Sequence, residues 1–218
     1  MIRKIVISTV LFILMCVSLV SAGTFTVTQG STIWTVTPVQ GSDTIADFYD
    51  YSSASSHTGF EEIHVSKIYL YQDTTNNKLG LIMHHNIDGS GGNGACEFDL
   101  QNIPAGSAVI VSDDPGEFAL SQSPEGDWAW TDNTDGGAFE LPLTMAWILT
   151  VDPTFQSGIC GWKYVNEDGT EIVLGMACPI EISYTPGSPI PEFPSVFIPS
   201  IAIIGFFLVV LLLHTRQK

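Results

Sequence analysis

Ile63-His-Val-Ser-Lys-Ile-Tyr-Leu-Tyr-Gln72, Asp73-Thr-Thr-Asn-Asn-Lys78 and Leu79-Gly-Leu-Ile-Met-His-His-Asn-Ile87 are the consecutive segments that decide the fold. The two outer runs are rich in β-branched and aromatic residues, which suit a pleated surface. The hexapeptide between them is polar and carries Asp and Asn, the residues that stabilise turns through their own side chains. The three together read as a β-hairpin. The same pattern continues in both directions. Strands are expected at 24–28, 33–37, 44–51, 63–72, 79–87, 95–100, 108–112, 128–130, 145–152, 159–165, 171–174 and 180–184, with a second hairpin-type turn at 166–169. Away from the two ends of the chain, no window longer than a turn or two shows an apolar stripe at helical period. The expected fold class is all-β: an antiparallel β-sandwich, jelly-roll-like, over residues 23–184.

The ends are of a different kind. Residues 1–22 have a basic start at Arg3 and Lys4, an apolar core from Ile5 to Val20, and Val20-Ser-Ala22 as a small-residue cleavage site. That is the form of a secretory signal peptide, with maturation after Ala22. At the other end, residues 185–194 form a proline-rich stalk. Nineteen uncharged residues follow, 195–213, and then a basic tail, 214–218, with Arg216 and Lys218. A helix of that length spans roughly 28 Å, close to the hydrocarbon thickness of a bilayer. Basic residues stay on the cytoplasmic side, so the tail is expected inside and the domain outside.

Pro191-Glu192-Phe193, the apolar run and the basic end, in that order, resemble the PEF-CTERM sorting signals of archaea, chiefly methanogens. The resemblance implies an archaeosortase-type transpeptidase as partner, which removes the helix and transfers the protein to another anchor, much as a GPI signal is a transient tail. The other reading is a plain single-pass helix behind a stalk. The middle of the chain, from Asn102-Ile-Pro-Ala-Gly106 through Asp113-Asp-Pro-Gly-Glu117 and Trp128-Ala-Trp130 to Asn133-Thr-Asp-Gly-Gly137, is similar to uncharacterised ectodomains of sortase-anchored surface proteins. That similarity implies location and β architecture and brings no activity.

Charge narrows the partners. Residues 23–190 hold 22 Asp and Glu against Lys67, Lys78 and Lys163, a net charge of −19. Such a surface repels nucleic acid and favours hard cations. Asp113, Asp114 and Glu117 on one turn, with Asp132, Asn133 and Asp135 on another, are the candidate calcium ligands. The same residues also suit ordinary turns. Trp128 and Trp130 alternate around Ala129 and share one side of a strand, either as a sugar-stacking face or as core. Cys160 and Cys178 are a candidate disulfide, although a tight turn at 166–169 sets Cys160 opposite about Gly175; Cys96 is then a buried thiol. His84 and His85 are adjacent on a strand and point to opposite faces, so they do not chelate together. His57 and His64 lie near Glu61 and Glu62 without a zinc-site spacing. Gly89-Ser-Gly-Gly-Asn-Gly94 fits a dinucleotide fingerprint only formally, because a strand pattern follows it rather than a helix. No G-x-S-x-G, H-E-x-x-H or Walker motif is present. The expected function is a non-catalytic binding, adhesion or envelope-structural role at the cell surface. An extracellular polysaccharide hydrolase or carbohydrate-binding module is the alternative.

Overall fold

The computed structural model describes residues 23–187. The leader at 1–22, the Pro191-Glu192-Phe193 motif, the apolar run at 195–213 and the basic tail lie outside the described residues. Among the described residues no helix is long and apolar enough to cross a membrane.

The described domain is all-β, with two sheets packed together. The strands are β1 (Thr24–Gln29), β2 (Thr32–Val36), β3 (Val39–Gly41), β4 (Val65–Asp73), β5 (Lys78–His85), β6 (Asn93–Gln101), β7 (Ala108–Ser112), β8 (Gly126–Thr131), β9 (Asp135–Leu141), β10 (Trp147–Ser157), β11 (Gly161–Val165), β12 (Glu171–Leu174) and β13 (Ile180–Thr185). One sheet runs β2-β1-β13-β10-β6-β8. The other runs β12-β11-β4-β5-β9-β7, with β3 also on β4. The hairpin that opened the sequence reading is β4–β5, in register from Ser66↔His85 to Asp73↔Lys78. Asp73 closes its turn by accepting the N–H groups of Thr75 and Asn76, each at 2.9 Å.

Burial alternates strictly along β8 and β6, as expected of strands with one wet face. Strands β4 and β5 are buried on both faces. Their inner face, with Ile68, Leu70, Leu81 and Met83, packs on the opposite sheet around Phe98, Trp128 and Leu149. Their outer face, with Tyr69, Tyr71 and Ile82, is covered by a short helix, α1 (Ile45–Tyr49), and by Phe60.

Three sequence expectations are corrected here. Residues 44–51, read as a strand, contain α1 instead. Thr44 caps it, its hydroxyl oxygen accepting the Asp47 N–H at 3.1 Å, and Asp50 ends it in the left-handed region at φ 49°. Ile45 and Tyr49, four residues apart, both face the sheet, and Phe48 stacks on Tyr71 with ring centroids 3.9 Å apart. Residues 135–137, read as part of a turn, begin β9. Gly136 has φ 155°, and a side chain there would collide with the Met83 carbonyl oxygen on the neighbouring strand, so only glycine lets the two backbones approach. The pairing is also not antiparallel throughout: β4 pairs parallel with β3 and with β11. β10 crosses from one sheet to the other at 157–161, at the pole where β4 begins, so β11 sets out in the direction of β4.

That parallel pairing places Lys67 and Lys163 side by side. Glu62 and Glu171 bridge them, with all four nitrogen–oxygen distances between 2.6 and 2.9 Å. Lys78 pairs with Glu140 at 2.7 Å. Every lysine in the described domain is thus engaged with a carboxylate.

The register also fixes the poles of the domain. Thr24 pairs with Thr185, so the first residue of β1 and the last of β13 lie at one end. Trp147, paired with Tyr184, and the loop joining it to Leu141 lie at that end too, and the Tyr184 hydroxyl donates to Leu143 O at 3.2 Å. β9 runs away from it, so Asp135 at the start of β9 lies at the opposite pole, roughly 20 Å off at 3.3 Å per residue. The loops 86–92 and 132–134 share that pole.

Candidate cation site

At the pole opposite the chain ends, the turn after β7 meets the first residue of β9. The antiparallel register sets Ser112 against Gly137, so Asp113 comes level with Gly136 and its carboxyl meets that of the preceding residue, Asp135. Pro115 and Gly116 then turn the chain. Phe118 drops into the core against Trp128 and Phe139, with ring centroids 5.6 and 5.8 Å away, and pulls Glu117 in behind it. Asp113, Glu117 and Asp135 therefore converge.

Two of the three are buried, Asp113 at 7 % exposure and Asp135 at 4 %. Asp135 Oδ1 accepts the Gly136 N–H at 2.9 Å. Both oxygens of Asp113, and Oε2 of Glu117, are buried without a hydrogen-bond donor. Carboxylate oxygens are all acceptors, so these groups can bond one another only by sharing protons. Burial, reinforced by the neighbouring carboxylates, pushes Asp113 up to about 8. Burial, with the charges of Asp135 and Asp114, pushes Glu117 upward; burial and the charge of Asp114 push Asp135 upward against the Gly136 N–H and its bonds with Asp113 and Glu117. These raised groups hold protons that the unfolded chain has already released. Their contribution to stability is thus complete below the ordinary carboxylate range and is lost as pH rises through the folded values, roughly pH 4 to 8.

The remaining candidate ligands divide. Asp114 is exposed at the edge of the cluster and contributes charge to it. Asp132 and Asn133 are not part of it, which corrects the six-residue ligand set read from sequence. Asp132 accepts the Gly91 N–H, and its own N–H bonds Gly92 O at 2.9 Å, so it pins the glycine-rich connection between β5 and β6. Asn133 bonds Thr131 N at 2.9 Å and Ala54 O at 2.8 Å. Among the described residues no three His, Cys, Asp or Glu side chains already frame a metal centre; the three carboxyls are closed upon one another.

Other candidates fall to structural roles. Trp128 and Trp130, the possible sugar-stacking face, are buried in the core, because their side of β8 is the inner face. His85 is buried there as well. It contacts Ser66 Oγ at 3.0 Å and stacks on Trp130, and burial lowers it to about 3. His84 points to the other face and lies 3.5 Å from Glu61. His64 meets Gly158 O at 3.1 Å and His57 meets Asp50 O at 3.0 Å. Cys160 and Cys178 are exposed free thiols, and Cys96 is a buried one. Trp162↔Leu174, extended by two residues, sets Met176 rather than Cys178 opposite Cys160. A shallow depression of about 300 Å³ beside the 166–170 turn is lined by Thr35, Thr37 and that turn, whose Asp168 is held by Thr170 at 2.6 Å.

Compared with known families, curated proteins and solved structures, the chain matches none.

Proposed function

We propose that the chain is a cell-surface protein whose β domain has a non-catalytic role in binding, adhesion or envelope structure. In this reading residues 1–22 direct export. Residues 195–213 hold the chain in the cytoplasmic membrane, with Arg216 and Lys218 inside. An archaeosortase-type transpeptidase acts on the Pro191-Glu192-Phe193 tail. The two packed sheets are read as a jelly-roll-like sandwich.

The observation that carries the proposal is the pairing of Thr24 with Thr185. The first and last strands of the domain thus have their outer ends at one pole, and the carboxylate cluster lies at the other. The acidic composition, with every described lysine engaged, supports an exposure to cations rather than to nucleic acid or anionic lipid. The hydrolase alternative is less well supported. Glycoside hydrolysis needs two carboxyls about 5–9 Å apart across an open cleft, whereas Asp113, Glu117 and Asp135 are drawn together and largely buried.

Antibodies raised against the domain should stain intact producing cells to the same level as permeabilised ones. Staining that appears only after permeabilisation overturns the surface reading.

A further inference from the structure

We propose that Asp113, Glu117 and Asp135 take up one hard divalent cation of calcium size, and that the bound ion locks the turn after β7 to the start of β9. The inference stands on the domain alone and holds whether or not the chain is anchored to a membrane.

The first observation is the state of Asp113. It is 7 % exposed and aimed at Asp135, yet neither of its oxygens receives a hydrogen bond, and Glu117 Oε2 shares that condition. A buried carboxylate without a donor requires a positive charge or a proton. The second observation is that the domain has no cation of its own to offer. Lys67 and Lys163 are held by Glu62 and Glu171, Lys78 is held by Glu140, and residues 23–187 contain no arginine. The groups facing the cluster from the surrounding elements add nothing positive. They are Tyr49 and Tyr51 from α1 and the residues after it, Asp114 from the turn, Cys96 from β6 and neutral His85 from the paired strand β5. A metal cation that meets these oxygens therefore comes from solvent.

The donor set selects the ion. Three carboxyls give up to six oxygens of the roughly six to eight that calcium takes, and water reaches the half-exposed side at Glu117. An all-oxygen set disfavours zinc and copper, which prefer nitrogen and sulfur. The turn Asp113-Asp-Pro-Gly-Glu117 is held by Ser112 Oγ donating to Asp114 O at 2.8 Å, by the Gln122 amide donating to Gly116 O at 3.4 Å and by the Asp127 N–H donating to Glu117 O at 2.8 Å, and calcium tolerates the irregular ligand geometry of such a turn where magnesium demands a near-ideal octahedron.

The test is thermal unfolding of the purified full chain in detergent at about pH 8, with EDTA or with excess Ca²⁺. Ca²⁺ is expected to raise the midpoint by several degrees. Asp113→Asn and Asp135→Asn should each abolish the Ca²⁺ shift while folding normally in EDTA, since each removes a repelling charge. Asp132→Asn should keep the shift. No Ca²⁺ shift at about pH 8, an equal shift with Mg²⁺, a response to Zn²⁺ alone, or a shift that survives in Asp113→Asn would each overturn the proposal.

Discussion

Trp128→Ala is expected to cost about 3–5 kcal/mol of folding stability, a large share of the roughly 5–15 kcal/mol that a domain has. Trp128 is fully buried, with Phe98, Phe118 and His85 around its ring at centroid distances of 5.5, 5.6 and 4.8 Å. Its indole N–H donates to Gly136 O at 2.8 Å. That bond runs from β8 in one sheet to β9 in the other, so the side chain joins the sheets both by packing and by polar contact. It also sits directly behind the carboxylate pole, because Gly136 follows Asp135. Trp128→Phe should retain most of the packing and orphan the Gly136 carbonyl, at about 1–3 kcal/mol. Denaturant unfolding of both variants gives the comparison. If Trp128 were a sugar-stacking residue, the alanine variant would instead fold with near-native stability and lose only a ligand.

Glu61→Ala should destabilise the domain by a similar amount, about 3–5 kcal/mol, because it leaves several donors that now bond one largely buried carboxylate without an acceptor. Oε1 of Glu61 accepts the Thr58 N–H at 2.6 Å, the Thr58 hydroxyl at 2.8 Å and the Ser56 hydroxyl at 3.1 Å. Oε2 accepts the Gly59 N–H at 2.8 Å. One carboxylate thus organises the loop that, with α1, covers the outer face of β4 and β5. Its truncation would also remove the polar group nearest to buried His84, whose Nδ1 lies 3.5 Å from Oε1. Burial alone would push Glu61 upward, but the bond and charge of His84 and the Thr58 donors prevail and hold it well below the ordinary Glu value. The sign follows: this stability is complete above the unfolded-state value near 4.3 and is lost as pH falls below it. Melting temperature followed from about pH 5 down to about pH 2 should drop more steeply for the native chain than for Glu61→Gln. Parallel curves would mean that the carboxylate is not charged in the fold. The Asp113 cluster acts in the opposite direction at higher pH, so without divalent cation the domain should be most stable in mildly acidic solution.

The strand content was legible because β-branched and aromatic runs separated by Asn, Asp and Gly carry a strong local signal. The β4–β5 hairpin was clear for that reason. α1 was missed although Thr44 with Asp47, and Ile45 with Tyr49, are capping and i,i+4 patterns; five helical residues are too few to stand out from an alternating background. β9 was missed because Asp-Gly-Gly reads as a turn. Only the close approach of the Met83 backbone and the Phe118 ring explains why glycine is required within that strand. Asp113, Glu117 and Asp135 were legible as acids on neighbouring turns. What separates them from Asp132 is register, which composition does not encode. Glu61 carried no signal, because its partners are a local turn and a histidine on a strand whose facing is settled only by tertiary packing.

The most direct test of the surface-display account is the intact mass of the mature protein isolated from the envelope of producing cells. The account predicts a chain that begins at Gly23 and has lost the apolar run 195–213, with an added anchor after the Pro191-Glu192-Phe193 region. A chain that starts at Met1, retains Lys218 and is recovered from the cytosol would contradict it.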